Sequence, residues 1–126
     1  MSATKTAIVV LSDPQGGDEA LGRLFNALAA AYDFKRQHQN VQLVFQGTGT
    51  RWARLLNEET HPAHALYKAV EDTVAGVSAG CADVFGAREA AETNGFALIG
   101  TNHVPGTSGL PSLARYASEG YTVLTF

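Results

Sequence analysis

The sequence predicts an α/β protein built on a five-stranded parallel sheet with helices on both of its faces. Two observations predict it. Short apolar runs of β-branched character alternate along the chain with longer segments whose apolar residues recur at helical spacing. Those short runs are continuous rather than alternating, as suits strands buried on both faces.

The first run, Ala7 to Leu11, reads Ala-Ile-Val-Val-Leu and stops at the turn formers Ser12 to Gly17. Asp18 is placed to cap a helix carrying Leu21, Leu24, Phe25, Leu28 and Tyr32 on one face. A second strand, Val41 to Phe45, runs into Gln46-Gly47-Thr48-Gly49-Thr50, where Thr50 is expected to cap a short helix bearing Trp52, Leu55 and Leu56. The next helix is expected to open at Pro62, a residue favoured in the first turn, with Ala63, Leu66, Tyr67, Val70 and Val74 as its apolar face. Val74 to Ser78 is read as the third strand, because Gly76 disfavours a helix interior.

Gly80 and Cys81 then open a helical segment through Ala82, Val84, Phe85 and Ala90, interrupted at Gly86. Phe96 to Ile99 forms a short fourth strand, followed by an aperiodic loop from Gly100 to Gly109. Pro111 is expected to start a last helix that Gly120 ends, and Tyr121 to Phe126 forms the fifth strand. Joined by right-handed crossovers, this order corresponds to a flavodoxin-like doubly wound sheet. With no linker, repeat or low-complexity tract, residues 1–126 read as one domain.

The chain has 126 residues, 45% of them hydrophobic, enough for one sizeable core. Charged residues make up only 17%, against a usual share of about 25%, which suggests surface covered by further copies of the chain, a homo-oligomer. A net charge of −3 and the lack of any Lys/Arg run give no footprint for nucleic acid. The polar stretch Met1 to Thr6 lacks the pattern of a signal peptide, and no apolar run approaches the ~18 residues of a membrane span. A single cysteine excludes an internal disulfide, so a reducing cytoplasm is the expected compartment. No cofactor is expected: after the first strand Pro14 removes a backbone donor and Asp13 repels phosphate, which disfavours flavin.

In open α/β sheets, ligands bind beyond the carboxyl ends of the strands, where strand order reverses. Here those ends supply Ser12 to Gly17, Gln46 to Arg51, Ser78 to Cys81 and Gly100 to Gly109. The reversal is expected between the first and third strands, which would bring Ser12, Asp13 and Cys81 together. Cys81 is the candidate catalytic residue, since N–H groups and the dipole at a helix start favour a thiolate, the nucleophilic form. A free cysteine is as often a small buried hydrophobe, and the residues alone leave the two readings level.

The Gly47-Thr48-Gly49-Thr50 loop offers backbone N–H groups to an anion, with Thr48 and the neighbouring Arg51 as candidate binding residues. It is neither a P-loop nor a dinucleotide fingerprint, and a tight turn with a threonine cap is the favoured reading. His61, His64 and His103 invite a metal together with Cys81. Pro62 sets His61 outside the helix and no second pair completes a tetrahedral set, so no metal is expected. His103 lies in the loop after the fourth strand, at the correct edge to act as an acid or base.

The opening Ala7-Ile-Val-Val-Leu-Ser-Asp13, with Glu19-Ala-Leu-Gly-Arg-Leu-Phe-Asn-Ala-Leu28, resembles that of DsrE-like proteins. The segment Val74-Ala-Gly-Val-Ser-Ala-Gly-Cys-Ala-Asp-Val-Phe-Gly86 resembles their cysteine-bearing turn and helix. Gly47-Thr-Gly-Thr-Arg-Trp52 and Gly120-Tyr-Thr-Val-Leu-Thr-Phe126 extend the match over nearly the whole chain. The resemblance implies a flavodoxin-like fold, homo-oligomers (dimers, trimers or hexamers) and, in some members, relay of sulfur as a cysteine persulfide between donor and acceptor proteins. In those carriers the active cysteine opens the helix after the third strand, the position Cys81 matches. Relatives often have a second cysteine three residues earlier; here that position is Ser78, which excludes an internal disulfide cycle and leaves a hydroxyl placed to bond the sulfur.

The leading expectation is a persulfide carrier or sulfurtransferase-like protein acting through Cys81, with Ser12, Asp13 and Ser78 lining the site and Arg51 or His103 stabilising charge. The alternative is a non-catalytic oligomeric module that holds a small anionic or nucleotide-like ligand at the same strand edge. A purely structural or interaction role is the third reading.

Overall fold

The computed structural model describes residues 4–126; Met1, Ser2 and Ala3, part of the polar N-terminal stretch, lie outside them. Five strands form one parallel sheet: β1 (Lys5–Val10), β2 (Asn40–Phe45), β3 (Val74–Ser78), β4 (Leu98–Ile99) and β5 (Thr122–Thr125). The helices are α1 (Gly17–Arg36), α2 (His64–Val70), α3 (Ala79–Val84), α4 (Arg88–Thr93) and α5 (Leu113–Ser118). Tighter 3-10 turns fill Pro14–Gly16, Gly47–Arg54 and Glu71–Thr73. The architecture is α/β and consistent with a flavodoxin-like fold.

The strand order is β4-β3-β2-β1-β5, which corrects the expected reversal. β1 and β3 are not neighbours; both flank β2, and the change of direction falls at β1 and β5. Right-handed crossovers that step in one direction lay their helices on one face of a sheet. The steps from β1 to β4 all run one way, so α1 to α4 share a face. Only the connection from β4 to β5 runs back across the sheet, and it leaves α5 alone on the other face.

The burial pattern records this division. Ile8 and Val10, Leu43 and Phe45, and Val77 form one cluster with Leu24 and Leu28 of α1, Tyr67 and Val70 of α2, Ala82 of α3, Ala91 of α4 and the fully enclosed Trp52. Gln42, which points to the opposite face from Leu43 because side chains alternate along a strand, meets α5 instead: its Oε1 accepts from the Tyr116 hydroxyl at 2.7 Å. Its Nε2 donates to the Tyr121 hydroxyl at 3.1 Å.

Helix starts differ from the expectation in a consistent way. Asp18 lies in the first turn of α1 rather than at its cap, which is Gly16, while Asp13 takes a capping role in the preceding 3-10 turn by accepting from the Gln15 N–H at 2.9 Å. Thr50 lies inside the 3-10 helix, where its hydroxyl donates to the Gly47 carbonyl at 2.8 Å. Pro62 stands before α2, and His61 Nδ1 accepts from the Ala63 N–H at 3.0 Å. Pro111 also stands outside its helix, because Ser112 supplies the better cap by accepting from the Arg115 N–H at 3.2 Å.

Candidate functional site

The segments that follow β1, β2 and β3 meet through Arg51. This side chain leaves the 3-10 helix after β2, and β2 lies between the other two strands, so it reaches both. Its Nη1 donates to Asp13 Oδ2 at 2.9 Å, beyond the end of β1. Its Nε donates to the carbonyl of Phe85 at 3.2 Å, at the end of α3, and the guanidinium lies 5.6 Å from the Phe85 ring centroid. The pair is only part-exposed, at 31% for Arg51 and 29% for Asp13. The strand order that separates β1 from β3 thereby makes Arg51 the bridge between their loops.

Cys81 stands in the first turn of α3, as a free, partly buried thiol and the chain's only cysteine. β3 ends at Ser78, which becomes the N-cap: its buried Oγ accepts from the Cys81 N–H at 3.3 Å. The hydroxyl that the sequence placed to bond the sulfur thus engages the backbone of the same residue. Beside it, the Gly80 N–H donates to the Gly109 carbonyl at 2.7 Å. A Cβ on Gly80 would fall 2.8 Å from Leu110 Cδ1, so glycine is what lets the loop after β4 pack against the cysteine turn.

That loop is fastened by a polar clasp. Arg88 donates to both carboxylate oxygens of Asp83, at 3.1 Å from Nη2 to Oδ2, and Nη2 also donates to Ser108 Oγ at 3.2 Å. Ser108 in turn donates to Asp83 Oδ2. The bond from Arg88, then that from Ser108, hold the Asp83 carboxyl down at about 2. Within the loop, Asn102 and Leu110 pair as an antiparallel bridge. Sequence reasoning missed this clasp. Its only local signal is an acid and an arginine on either side of Gly86, and Ser108 lies too far along the chain to be linked to them by pattern.

The remaining candidate residues spread out. Ser12 is 1% exposed; its carbonyl accepts from Trp52 Nε1 at 2.8 Å, and its Oγ has no partner among the described residues. Thr48 Oγ1 donates to the Leu11 carbonyl at 3.4 Å, tying the 3-10 helix to the end of β1. His103 is exposed and, among the described residues, makes no side-chain hydrogen bond or ion pair. His64 Nδ1 bonds the Leu56 carbonyl at 2.8 Å, and His61 Nδ1 is taken up at the start of α2. The structure therefore joins Asp13 to Arg51 and Ser78 to Cys81. It links Asp13 to the cysteine helix only through Arg51 and Phe85, and connects Ser12, Thr48 and His103 to Cys81 by no hydrogen bond.

The family model of the DsrE/DsrF-like proteins matches residues 4–126. The chain belongs to the DsrE/DsrF-like family. It is similar to a solved structure described as a conserved protein of unknown function, BT1422, from Bacteroides thetaiotaomicron, with a TM-score of 0.57 and 14% identity over 95% of this chain and 94% of that one. This likeness speaks to the fold alone. No curated protein matches the chain. Among the described residues of this DsrE/DsrF-like chain, no helix is long and apolar enough to cross a membrane.

Proposed function

We propose that this DsrE/DsrF-like chain is a persulfide carrier that accepts sulfur on Cys81 and passes it to a second thiol. The observation that carries the reading is the position of Cys81: a free, only partly buried cysteine in the first turn of the helix that leaves β3, in a chain of this family.

The chemistry needs one cysteine only. The Cys81 thiolate attacks the outer sulfur of a donor persulfide, R–S–SH. The donor S–S bond breaks, R–S⁻ leaves with its electron pair, and Cys81 becomes Cys–S–SH. An acceptor thiolate then attacks the outer sulfur of Cys81 in the same manner and restores the Cys81 thiolate. Neither exchange changes the total count of electrons, so no outside oxidant or reductant is required. The Ser78 cap and the Gly80–Gly109 bond hold the backbone of the turn from which the Cys81 thiol extends. Arg51 contributes by fixing the far end of α3 through the Phe85 carbonyl. Asp13, Thr48 and His103 complete the strand edge that a donor or acceptor protein would meet, whereas Ser12 is buried and does not reach that surface.

The same reading includes a homo-oligomer working in a reducing compartment such as the cytoplasm. Supporting it are the low charged fraction of 17% and the exposure of apolar side chains, Val84 at 69% on the cysteine helix and Leu113 on α5. Light scattering on the purified chain tests the oligomer. Incubation with a persulfide donor followed by intact mass measurement tests the carrier: wild type gains the mass of one sulfur and Cys81→Ser does not. Failure of wild type to gain sulfur from any donor would sink it.

A further inference from the structure

We propose that the hollow walled by Arg51 and Arg54 is a binding site for a small carboxylate with an apolar body. It encloses about 380 Å³, at the small end of ordinary ligand pockets of roughly 300–1,000 Å³. Pro14, Leu55, Phe85 and Ala90 supply apolar wall, and the two arginines supply its charge. Cys81 is not part of the lining, so this site and the persulfide reading stand or fall separately.

The charge balance selects the ligand. Asp13 already neutralises Arg51 at 2.9 Å. Among the described residues Arg54 has no carboxylate within ion-pair distance, so one positive charge is left for the pocket. A single carboxylate balances it. A more highly charged phosphate would leave excess negative charge near Asp13, and a neutral or cationic head group would leave the guanidinium unpaired.

Geometry favours the same class. Arg51 is held by two hydrogen bonds and by the Phe85 ring, which leaves its Nη2 without a partner among the described residues. A guanidinium so fixed loses little freedom when its Nη2 meets a carboxylate oxygen. Arg54 is exposed among the lining residues, and its long side chain can reach a ligand in the hollow.

The test is a titration followed by amide and arginine N–H NMR signals, with phenylacetate as the probe and 2-phenylethanol and phenyl phosphate as controls. Phenylacetate at millimolar concentration should shift the signals of Phe85, Gly86, Ala87 and the Arg51 Nε–H. 2-Phenylethanol should leave them in place, and phenyl phosphate should bind more weakly. Arg54→Gln, a surface change whose spectrum reports its own folding, should weaken phenylacetate about tenfold, the loss of one charged hydrogen bond. Absence of shifts, an equal response to the alcohol, tighter binding of the phosphate or full affinity in Arg54→Gln would each overturn the proposal.

Discussion

The backbone N–H of Cys81 donates to the side-chain oxygen of Ser78, 3.3 Å away, across the junction of β3 and α3. One bond therefore starts the helix and fixes the turn that presents the thiol. Ser78 is fully buried and Cys81 partly so, and removing the Ser78 hydroxyl takes away the side-chain acceptor of the Cys81 amide.

Ser78→Ala should cost about 0.5–1 kcal/mol, the low end for a lost N-cap because the bond is long. Urea unfolding of the variant against wild type measures it. The same variant should load sulfur at Cys81 more slowly, since the turn that orients the thiol is loosened. Unchanged stability would mean that the cap contributes nothing.

Asp13 and Arg51 should show mutual coupling. In a cycle built from Asp13→Asn, Arg51→Gln and the double variant, the interaction energy should be about 0.5–1 kcal/mol, the upper part of the range for part-exposed pairs. Arg51→Gln should also speed hydrogen exchange near Phe85, because it removes the Nε bond to that carbonyl. Exchange altered only around Asp13 would contradict the bridging role.

Gly109 carries a backbone φ of +100°, and a Cβ there would overlap the carbonyl of Gly100. Gly109→Ala should destabilise the chain by about 1–3 kcal/mol through strain at that point. The Gly80 amide, which donates to the Gly109 carbonyl, should then exchange faster than in wild type. Native protection of Gly80 in the variant would show that the loop does not depend on this contact.

The clasp at Asp83 sets a pH dependence with a definite sign. The Asp83 carboxyl is lowered from 3.8 to about 2, with the bond from Arg88 as the first cause. Its contribution to stability is therefore complete above pH 3.8 and is lost as pH falls through about 2. Wild type should exceed Asp83→Asn in stability at pH 5, with the gap closing towards pH 2. A gap that stays constant over that range would remove the clasp's electrostatic role.

Much of this fold was legible because apolar runs report strands directly: Val74 to Ser78 and Val41 to Phe45 fall where strands form. The strand order was not. The right-handed rule fixes the face on which a helix lands only once the direction of each step is known, and nothing in the β1 to β3 residues states that direction. Helix starts were misjudged where a side chain other than the obvious one met the first N–H groups, as His61 does ahead of α2 and Ser112 ahead of α5. Cys81 was readable as a helix-start thiol because the strand Val74 to Ser78 ends just before it and the helical segment through Ala82, Val84 and Phe85 follows; that Ser78 caps this helix was not. The surroundings of Cys81 were not either, since Asp83, Arg88 and Ser108 meet only through the path of the loop after β4.

The most direct measurement of the central claim is the rate of Cys81 alkylation in the native protein, followed by intact mass after exposure to a persulfide donor. Labelling as fast as an open cysteine, with a gain of one sulfur in wild type and none in Cys81→Ser, is the outcome the carrier requires. Labelling that waits for unfolding, with no sulfur gained, would make Cys81 a packing residue of α3 and end the carrier reading.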